Sequence, residues 1–496
     1  MNRSADVLLY IGGMIFQQIV TFGSGIFVAR WFGPEDYGVL SIVRNFFTFV
    51  LLLAPLGLDL SLLRHIGQHQ HDIARINKQI LVLRLVTASV TATVVLLIYF
   101  WVGKYLELNV YHFKKFAWLL TLMFVSLPFA ADVAIMTAVF RGRGRPAAQV
   151  LVSLYVQPTT RLALTVLLLF SGYGLSGVLD ATIGGYLVAS LMMTSILLVW
   201  NRRDRLPRHH LDRVDAAMIS RLLKDSVWLA LSLLVYGLLR NADIMLIGFF
   251  RSSKEVGEYA AISAIAQVIQ FFPSSLSQSL GAVIARHHGD RNVPLIRETL
   301  SKYLREASLL SAPIFGGIAI FGPWLDLVFG HRFHFDPMIT LALALGYYIS
   351  AVLGPMGYSL SMTGRHRLEF GLLCGGATLI VALCVIVTPL YGALGTALVI
   401  AAGYLAINGA RAVLVQRVYH FFVGSPGDLV PPLLSLGLAF LFREFGQKLL
   451  GRSVGSMVVL LAVYLVGCFA GYWMFLFKEN ELRFFRSRFS RLARGG

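Results

Sequence analysis

The chain has 496 residues, of which 57% are hydrophobic and 14% are charged, and its mean hydropathy is +0.72. Because soluble proteins are roughly 25% charged, this composition excludes a water-soluble protein. The formal net charge is +18, but the basic residues lie mostly in short connections between apolar runs. That position indicates topology signals and contacts with lipid headgroups, so we do not expect nucleic acid as a partner.

Fourteen apolar runs follow one another along the chain, and their lengths are typical of membrane-spanning helices. They cover residues 7–29, 38–63, 79–102, 116–140, 147–170, 178–200, 226–250, 257–285, 303–321, 338–361, 368–387, 392–415, 429–447 and 455–477. The first run is too long for the apolar part of a cleavable signal peptide. The sequence therefore predicts an all-α integral membrane protein with about 14 transmembrane helices.

The basic residues are distributed unevenly between the two sides of these runs. Most of the 43 Lys and Arg residues follow even-numbered runs, as do Arg141, Arg143 and Arg145 after the fourth. Connections rich in Lys and Arg face the cytoplasm. We therefore predict that both termini are cytoplasmic.

An internal repeat relates the two halves of the chain. Glu35-Asp36-Tyr37-Gly38 matches Lys254-Glu255-Val256-Gly257 at a shift of 219 residues, and Gly144-Arg145 matches Gly364-Arg365 at a shift of 220. This shift spans six helices, an even number, so the two copies have the same orientation and form parallel repeats.

The repeat sets the predicted domain organisation. We expect an N-terminal six-helix bundle (1–200), a basic cytoplasmic linker (201–225), a C-terminal six-helix bundle (226–415), helices 13 and 14 (416–478) and a basic cytoplasmic tail (479–496). The tail is amphipathic, because its apolar side chains fall on one helical face with arginines opposite, a pattern typical of helices that lie on an anionic leaflet.

Six charged residues lie well inside the predicted helices: Arg44, Arg161, Arg240, Asp59, Asp132 and Asp243. A charge near the bilayer centre costs at least about 2.5–3.5 kcal/mol, so such residues usually face a cavity or a partner. These positions therefore contain the candidate functional residues.

Polar stripes accompany the charges on helices 1, 2, 7 and 8. Tyr236, Arg240 and Asp243 share one face of helix 7, because they are spaced four and three residues apart. A helix that is polar along one stripe hides that stripe from lipid, so we predict that these four helices line a hydrated cavity. The candidate substrate-binding residues are Arg44, Arg240, Asp243, Tyr236, Gln17, Gln267 and Gln270.

Structural alternatives remain open for each charge. Arg240 and Asp243 could neutralise each other, and Arg44 could extend its side chain to the outer surface. For Arg161 we favour an interhelical pair with Asp132. Asp59 lies near the basic surface, where a gate, a structural salt bridge and a coupling-ion site are all compatible with the sequence.

Motifs of catalysis are missing from the sequence. There is no GxxxxGK[ST] phosphate loop and no HExxH metal motif. Cys374, Cys384 and Cys468 all lie in apolar runs without paired spacing, which is typical of small core residues. We expect neither an enzyme nor a metal or cofactor site.

Several motifs together resemble the Wzx-type polysaccharide flippases of the multidrug/oligosaccharidyl-lipid/polysaccharide exporter superfamily. They are VARWFGPEDYGVLSIVRNF (28–46), LGLDLSLLRHIG (56–67), NADIMLIGFFRSSKEVGEYAAISAI (241–265) and the Gly-Arg turns after helices 4 and 10. The resemblance covers essentially the whole chain, including its arrangement as six, six and two helices. It implies two bundles that form a V-shaped exporter.

The resemblance also implies a function. Such proteins move a polyprenyl-pyrophosphate-linked oligosaccharide repeat unit across the bacterial inner membrane by alternating access, for the synthesis of surface polysaccharide such as lipopolysaccharide or exopolysaccharide. Membrane lipids would surround the protein, and a polysaccharide polymerase and glycosyltransferases are candidate partners. An ion gradient would supply the energy, with Asp59 and Asp243 as candidate coupling residues.

Other functions compete with this one. An ion-coupled exporter of drugs or metabolites and a peptidoglycan-precursor flippase belong to the same superfamily. A membrane scaffold for glycosyltransferases is a different class, but a scaffold has no need for the aligned polar stripes. A membrane-embedded glycosyltransferase would normally need a long catalytic loop outside the membrane, which the sequence lacks.

Overall fold

The computed structural model describes residues 3–55, 57–59, 61–62, 66, 73–97, 99–100, 116–203, 234–235, 237–419 and 426–475. All regular secondary structure in these ranges is helical, which confirms the predicted all-α class. Candidate residue Tyr236, most of the basic linker and the amphipathic tail lie outside the described residues.

Each predicted apolar run corresponds to a helical pass within the described ranges. The passes are α1 (Arg3–Phe32), α2 (Pro34–Leu53), α3 (Ile73–Leu97), α4 (Phe116–Phe124 and Leu127–Gly142), α5 (Pro146–Val150, Leu151–Val156 and Gln157–Phe170), α6 (Gly174–Arg203), α7 (237–250), α8 (Ser253–Ala266, Gln267–Gln270 and Phe271–Gly289), α9 (Val293–Phe321), α10 (Pro337–Leu353 and Met356–Leu360), α11 and α12 (together His366–Tyr419), α13 (Val430–Leu450) and α14 (Val454–Phe475). Short helical turns at Gly322–Leu325, Asp326–Phe329 and Pro426–Leu429 lie in the connections.

Nine continuous helical stretches of the described residues are long and apolar enough to cross a membrane. One of them, Pro337–Tyr419, contains three passes, α10 to α12. Within it, Gly392 has φ 59° and ψ −146°, which breaks the helix between α11 and α12. These stretches are those of a multi-pass membrane protein.

Helix α2 begins earlier than its apolar run indicates. Gly33 has φ 85°, a left-handed conformation that favours glycine, and Pro34 occupies the first turn of the helix. Glu35 and Asp36 follow in the same turn, where carboxylates interact favourably with the positive end of the helix dipole. The charged segment that we expected to precede the helix is therefore its first turn.

Contacts along the chain divide it into two compact units. The first unit comprises Met1–Ala260 and Cys384–Gly392, and the second comprises Ala261–Leu383 and Ala393–Gly496. The grouping into two six-helix bundles and a C-terminal pair remains a prediction.

In the first unit, a partly buried ion pair joins α3, α4 and α6. Arg84 of α3 donates from Nε to Asp132 Oδ1 at 2.5 Å and from Nη2 to Asp132 Oδ2 at 3.0 Å. Ser190 and Thr194 of α6 add hydrogen bonds to the same pair. Asp132 therefore pairs with Arg84, and the predicted pairing of Asp132 with Arg161 is wrong.

In the second unit, α13 and α14 pack against α9 over a buried polar contact. Gly316 of α9 lies so close to α13 that an added Cβ would be 2.9 Å from the backbone of Ser435. The Tyr464 hydroxyl of α14 donates to the carbonyl oxygen of Pro313 at 2.8 Å, and Tyr472 pairs with Ser435 at 2.5 Å. These contacts fix the last two helices to the unit.

The Arg84–Asp132 pair gives a testable prediction about stability. Replacing Asp132→Ala leaves a partly buried guanidinium without its carboxylate, so we expect the free energy of unfolding to fall by about 3–5 kcal/mol. Unfolding by SDS titration in mixed micelles measures the change.

Two further variants define what the result means. Ser195→Ala removes only a hydrogen bond of an exposed serine to its own helix α6 and should be neutral. The double variant Arg84→Met/Asp132→Leu should recover most of the stability, because apolar groups of similar size replace the pair. Equal stability of Asp132→Ala and Ser195→Ala would contradict the structural role.

Candidate functional site

Arg44 is the central residue of the candidate site. It lies ten residues into α2 from Pro34, which corresponds to a depth of roughly 15 Å from the end of the helix. The sequence alone predicts roughly 9 Å, because the first turn of the helix is not apolar. Its side chain is half-buried, and Tyr37, about two turns earlier, is buried and close enough to interact with it electrostatically.

Arg161 of α5 lies near Arg44. The two guanidinium groups are close enough to repel each other. Arg161 Nη2 also donates a hydrogen bond to Thr21 Oγ1 of α1 at 3.2 Å. The structure therefore brings together polar residues of three helices: Thr21 of α1, Arg44 of α2 and Arg161 of α5.

The local structure of α5 positions Arg161. Residues Leu151–Val156 form a π-helical turn, and Pro158 follows it directly. Such turns shift the face that a helix presents and are frequent at functional sites. Gln157 and Arg161 then lie one turn apart, and Gln157 is buried and hydrogen-bonded to Tyr186 of α6.

Glycine allows α6 to approach this part of α5. A Cβ atom added to Gly185 would lie 3.2 Å from Arg161 Cβ and 3.3 Å from the carbonyl oxygen of Gln157. Both distances are shorter than an ordinary van der Waals contact. The next residue on α6, Tyr186, interacts electrostatically with Arg161. The cationic pair of Arg44 and Arg161 is thus surrounded by Tyr37, Tyr186, Gln157 and Thr21.

No acidic partner of this cationic pair occurs among the described residues. Every carboxylate oxygen there is more than 4.0 Å from the nitrogens of Arg44 and Arg161. Two other partly buried arginines do have one: Arg84 pairs with Asp132, and Arg411 pairs with Glu369. Two guanidinium groups within electrostatic range of each other, neither with a carboxylate, favour an anionic ligand.

Asp243 of α7 has a different environment. Its side chain is buried and accepts hydrogen bonds from the Tyr259 hydroxyl at 2.9 Å and from the backbone amide of Ile244 at 2.8 Å. Arg240 is exposed. The neutralisation of Arg240 by Asp243 and a role of either residue in substrate binding both remain predictions.

The glutamines of α8 belong to the second unit. Gln267 and Gln270 bound a short 3-10 segment that interrupts the α-helix, and both are half-buried. Gln267 Nε2 donates to Ser263 Oγ at 3.3 Å, and Ser263 pairs with the Tyr347 hydroxyl at 3.2 Å. A substrate contact through Gln267 or Gln270 remains a prediction.

The other sequence candidates lie in the first unit without a demonstrated connection to the cationic pair. Gln17 of α1 is half-buried and lies one turn before Thr21. Asp59, beyond the end of α2, is half-buried next to the buried residue Leu58. Their roles in binding or coupling remain predictions, as does the cavity shared by helices 1, 2, 7 and 8.

The sequence interpretation missed Arg161 as a partner of Arg44. The available signal was the spacing of Gln157, Arg161 and Thr165, which repeats every four residues on a helix that is otherwise apolar. This spacing does not show that α5 packs beside α1, because a pattern within one helix carries no information about its neighbours.

The described residues form an all-α fold with many apolar helices, as in a membrane transporter. Comparison with protein families agrees. The family model described as "Polysaccharide biosynthesis protein" matches residues 4–288, and the model described as "MatE" matches residues 229–369. The chain belongs to the polysaccharide biosynthesis protein family, within the multidrug/oligosaccharidyl-lipid/polysaccharide exporter superfamily.

Solved structures of the same superfamily have a similar fold. The structure of the lipid II flippase MurJ in an inward closed conformation aligns with a TM-score of 0.72 at 16% identity, covering 95% of this chain and 100% of MurJ. An inward-facing multidrug resistance MATE family transporter aligns with a TM-score of 0.67 at 13% identity, covering 83% of this chain and 98% of that protein. A superfamily transporter from Pyrococcus furiosus aligns with a TM-score of 0.57 at 16% identity, covering 84% and 95% of the two chains.

Among characterised protein sequences, none matches this chain. The structural similarities, all at low identity, establish the fold. Together with the family assignment they show a membrane flippase or exporter.

The cationic pair predicts stabilisation by anions. Inorganic pyrophosphate should bind the folded protein at this pair and raise the midpoint of thermal unfolding in detergent, by mass action. The variants Arg44→Gln and Arg161→Gln should each lose most of this increase, because a single guanidinium offers fewer charge-assisted hydrogen bonds.

The control is Arg202→Ala, which removes an exposed arginine near the end of α6. This variant should respond to pyrophosphate as the unsubstituted protein does. An equal rise in all four proteins would show that the anion binds elsewhere and would contradict the site.

Proposed function

We propose that the protein is a flippase that moves a polyprenyl-diphosphate-linked oligosaccharide repeat unit from the cytoplasmic to the outer leaflet of a bacterial inner membrane. The observation that carries the proposal is the pair of Arg44 and Arg161, two neighbouring guanidinium groups without a carboxylate among the described residues. Membership of the polysaccharide biosynthesis protein family supports the class of cargo.

The chemistry of the pair favours a diphosphate. A diphosphate diester carries one negative charge on each phosphate, which matches two cations side by side. Guanidinium groups bind phosphate oxygens through paired hydrogen bonds and keep their charge in any accessible environment. The pair therefore lowers the cost of holding the charged linkage of the lipid away from water.

The surrounding residues favour a headgroup that carries sugars. Gln157, Thr21 and two tyrosine hydroxyls offer hydrogen-bond donors and acceptors beside the cations. The polyprenyl chain would remain in the lipid, where its apolar surface is already solvated, while the polar headgroup binds these residues. A drug-like cation, in contrast, would be repelled by two arginines.

The remaining parts of the proposal follow from the family and the topology. Both termini would be cytoplasmic, and transport would proceed by alternating access. Glycosyltransferases would build the cargo and a polysaccharide polymerase would consume it. An ion gradient would drive the cycle, with Asp59 or the buried Asp243 as the coupling residue.

A peptidoglycan-precursor flippase is the second candidate function. The observation that favours it is the similarity to MurJ, a lipid II flippase, over 95% of this chain. Its cargo also contains a diphosphate, so the cationic pair fits both. The two functions differ in the headgroup beyond the diphosphate that the protein accepts.

Translocation in proteoliposomes tests the proposal. The purified protein should move a fluorescent polyprenyl-diphosphate oligosaccharide between leaflets, and Arg44→Gln and Arg161→Gln should each slow this movement by at least about tenfold, the factor that corresponds to one lost charge-assisted hydrogen bond. Arg202→Ala should transport at the unsubstituted rate. Arg240→Gln tests whether the predicted third cation takes part.

The assay also separates the alternatives. Transport of lipid II in place of the oligosaccharide lipid would establish the second candidate function. Normal rates for Arg44→Gln and Arg161→Gln, in well-folded protein, would show that the cationic pair does not bind the cargo. Export of a soluble cation with no lipid movement would exclude both flippase functions.

A further inference from the structure

The backbones of α2 and α8 touch at their first turns. A Cβ atom added to Gly38 would lie 1.8 Å from the carbonyl oxygen of Ser253, and one added to Gly257 would lie 1.9 Å from the carbonyl oxygen of Pro34. Real Cβ atoms essentially never come within 3.0 Å of another heavy atom in this way. Only glycine at both positions allows the two helices to approach so closely.

The contact is two-fold symmetric. Gly38 and Gly257 are equivalent residues of the internal repeat, and each meets the carbonyl that lies four residues before the other glycine. A Cβ atom added to Gly38 would also lie 2.9 Å from the backbone nitrogen of Gly257. One added to Gly257 would lie 3.0 Å from the backbone nitrogen of Gly38. All of these residues belong to the first compact unit. The repeat therefore supplies both halves of one contact.

The other end of α2 meets α7 through side chains. A Cβ atom added to Gly237 would lie 2.7 Å from Leu52 Cδ1 and 3.3 Å from Phe49 Cδ2. These atoms are the far ends of flexible side chains, which can move aside, whereas the carbonyls of Pro34 and Ser253 are fixed by their helices. At Gly38 and Gly257 an added Cβ atom could therefore be accommodated only by a shift of the helices themselves.

We propose that Gly38 and Gly257 form a seal that closes the substrate path at the end of the protein remote from its termini. On the predicted topology this is the outer side, and the seal must open once in every transport cycle. The inference rests on the proposed transport function, but it does not depend on which lipid is carried.

The seal includes backbone contacts of the type that brings membrane helices together at glycine. Glu35 and Asp36 on α2 and Glu255 on α8 lie in the first turns, where they offset the positive ends of the two helices that converge there.

The seal is directly connected to the cationic pair. Tyr37, next to Gly38, is buried and interacts with Arg44. Arg44 lies six residues after Gly38 on the same helix and is therefore further from the N-terminus of α2. Separation of α2 from α8 at Gly38 would therefore expose the site of Arg44 to the outer side, and closure would isolate it.

Accessibility of a cysteine below the seal tests the inference. Ser41 is buried one turn below Gly38, so Ser41→Cys, in a background with Cys374, Cys384 and Cys468 replaced, should react slowly with a membrane-impermeant maleimide added from the outer side of oriented proteoliposomes. Adding Gly38→Ala or Gly257→Ala should speed labelling by at least about tenfold, because an open state of a few per cent becomes the main state.

Two variants complete the design. Gly23→Ala on α1, where an added Cβ meets nothing within 4 Å, should leave labelling unchanged. The double variant Gly38→Ala/Gly257→Ala should label no faster than either single variant, because all three disrupt one contact. Equal labelling of Gly38→Ala and Gly23→Ala, or additive effects in the double variant, would overturn the seal.

A distance measurement covers the case in which the alanine variants do not fold. Spin labels at the exposed positions 35 and 254 of an otherwise unsubstituted chain should give two distance populations, short when the seal is closed and longer when it is open. A single population under all conditions would overturn the proposal. Two populations without any lipid transport would leave the seal in place and contradict the proposed function instead.

Discussion

The cost of placing charge away from water governs this protein. In the Arg84–Asp132 and Arg411–Glu369 pairs, a carboxylate of the same chain offsets this cost, because it lies against the guanidinium. Arg44 and Arg161 have no such carboxylate among the described residues, and they also repel each other. Two such groups together would interact favourably with an anion, which is the basis of the proposed function.

The backbone creates this arrangement more than the side chains do. Gly185 lets α6 approach α5, and the π-helical turn before Pro158 sets the direction of Arg161. Gly38 and Gly257 bring α2 and α8 together above Arg44. Small residues and an irregular turn thus lie beside both cationic residues and allow their helices to approach neighbouring helices closely.

The sequence predicted the helices well, because hydrophobic runs and basic connections are local signals. It also singled out Arg44 as a candidate, because the cost of a charge inside an apolar helix is visible in one helix. It paired Asp132 with Arg161 wrongly, because the choice between Arg84 and Arg161 depends on which helices are neighbours, a property of tertiary packing. The repeat pointed to Gly38 and Gly257 as equivalent residues, but only the structure shows that they touch.

The first compact unit is discontinuous, and this feature affects biosynthesis. Residues 384–392 belong to it, and Arg251 Nε donates to the carbonyl oxygen of Thr388 at 3.2 Å. A chain that has been synthesised only as far as residue 260 lacks this segment, so the unit cannot reach its final contacts until α11 has entered the membrane. The N-terminal helices must therefore persist in the bilayer as an incomplete assembly while more than a hundred further residues are translated.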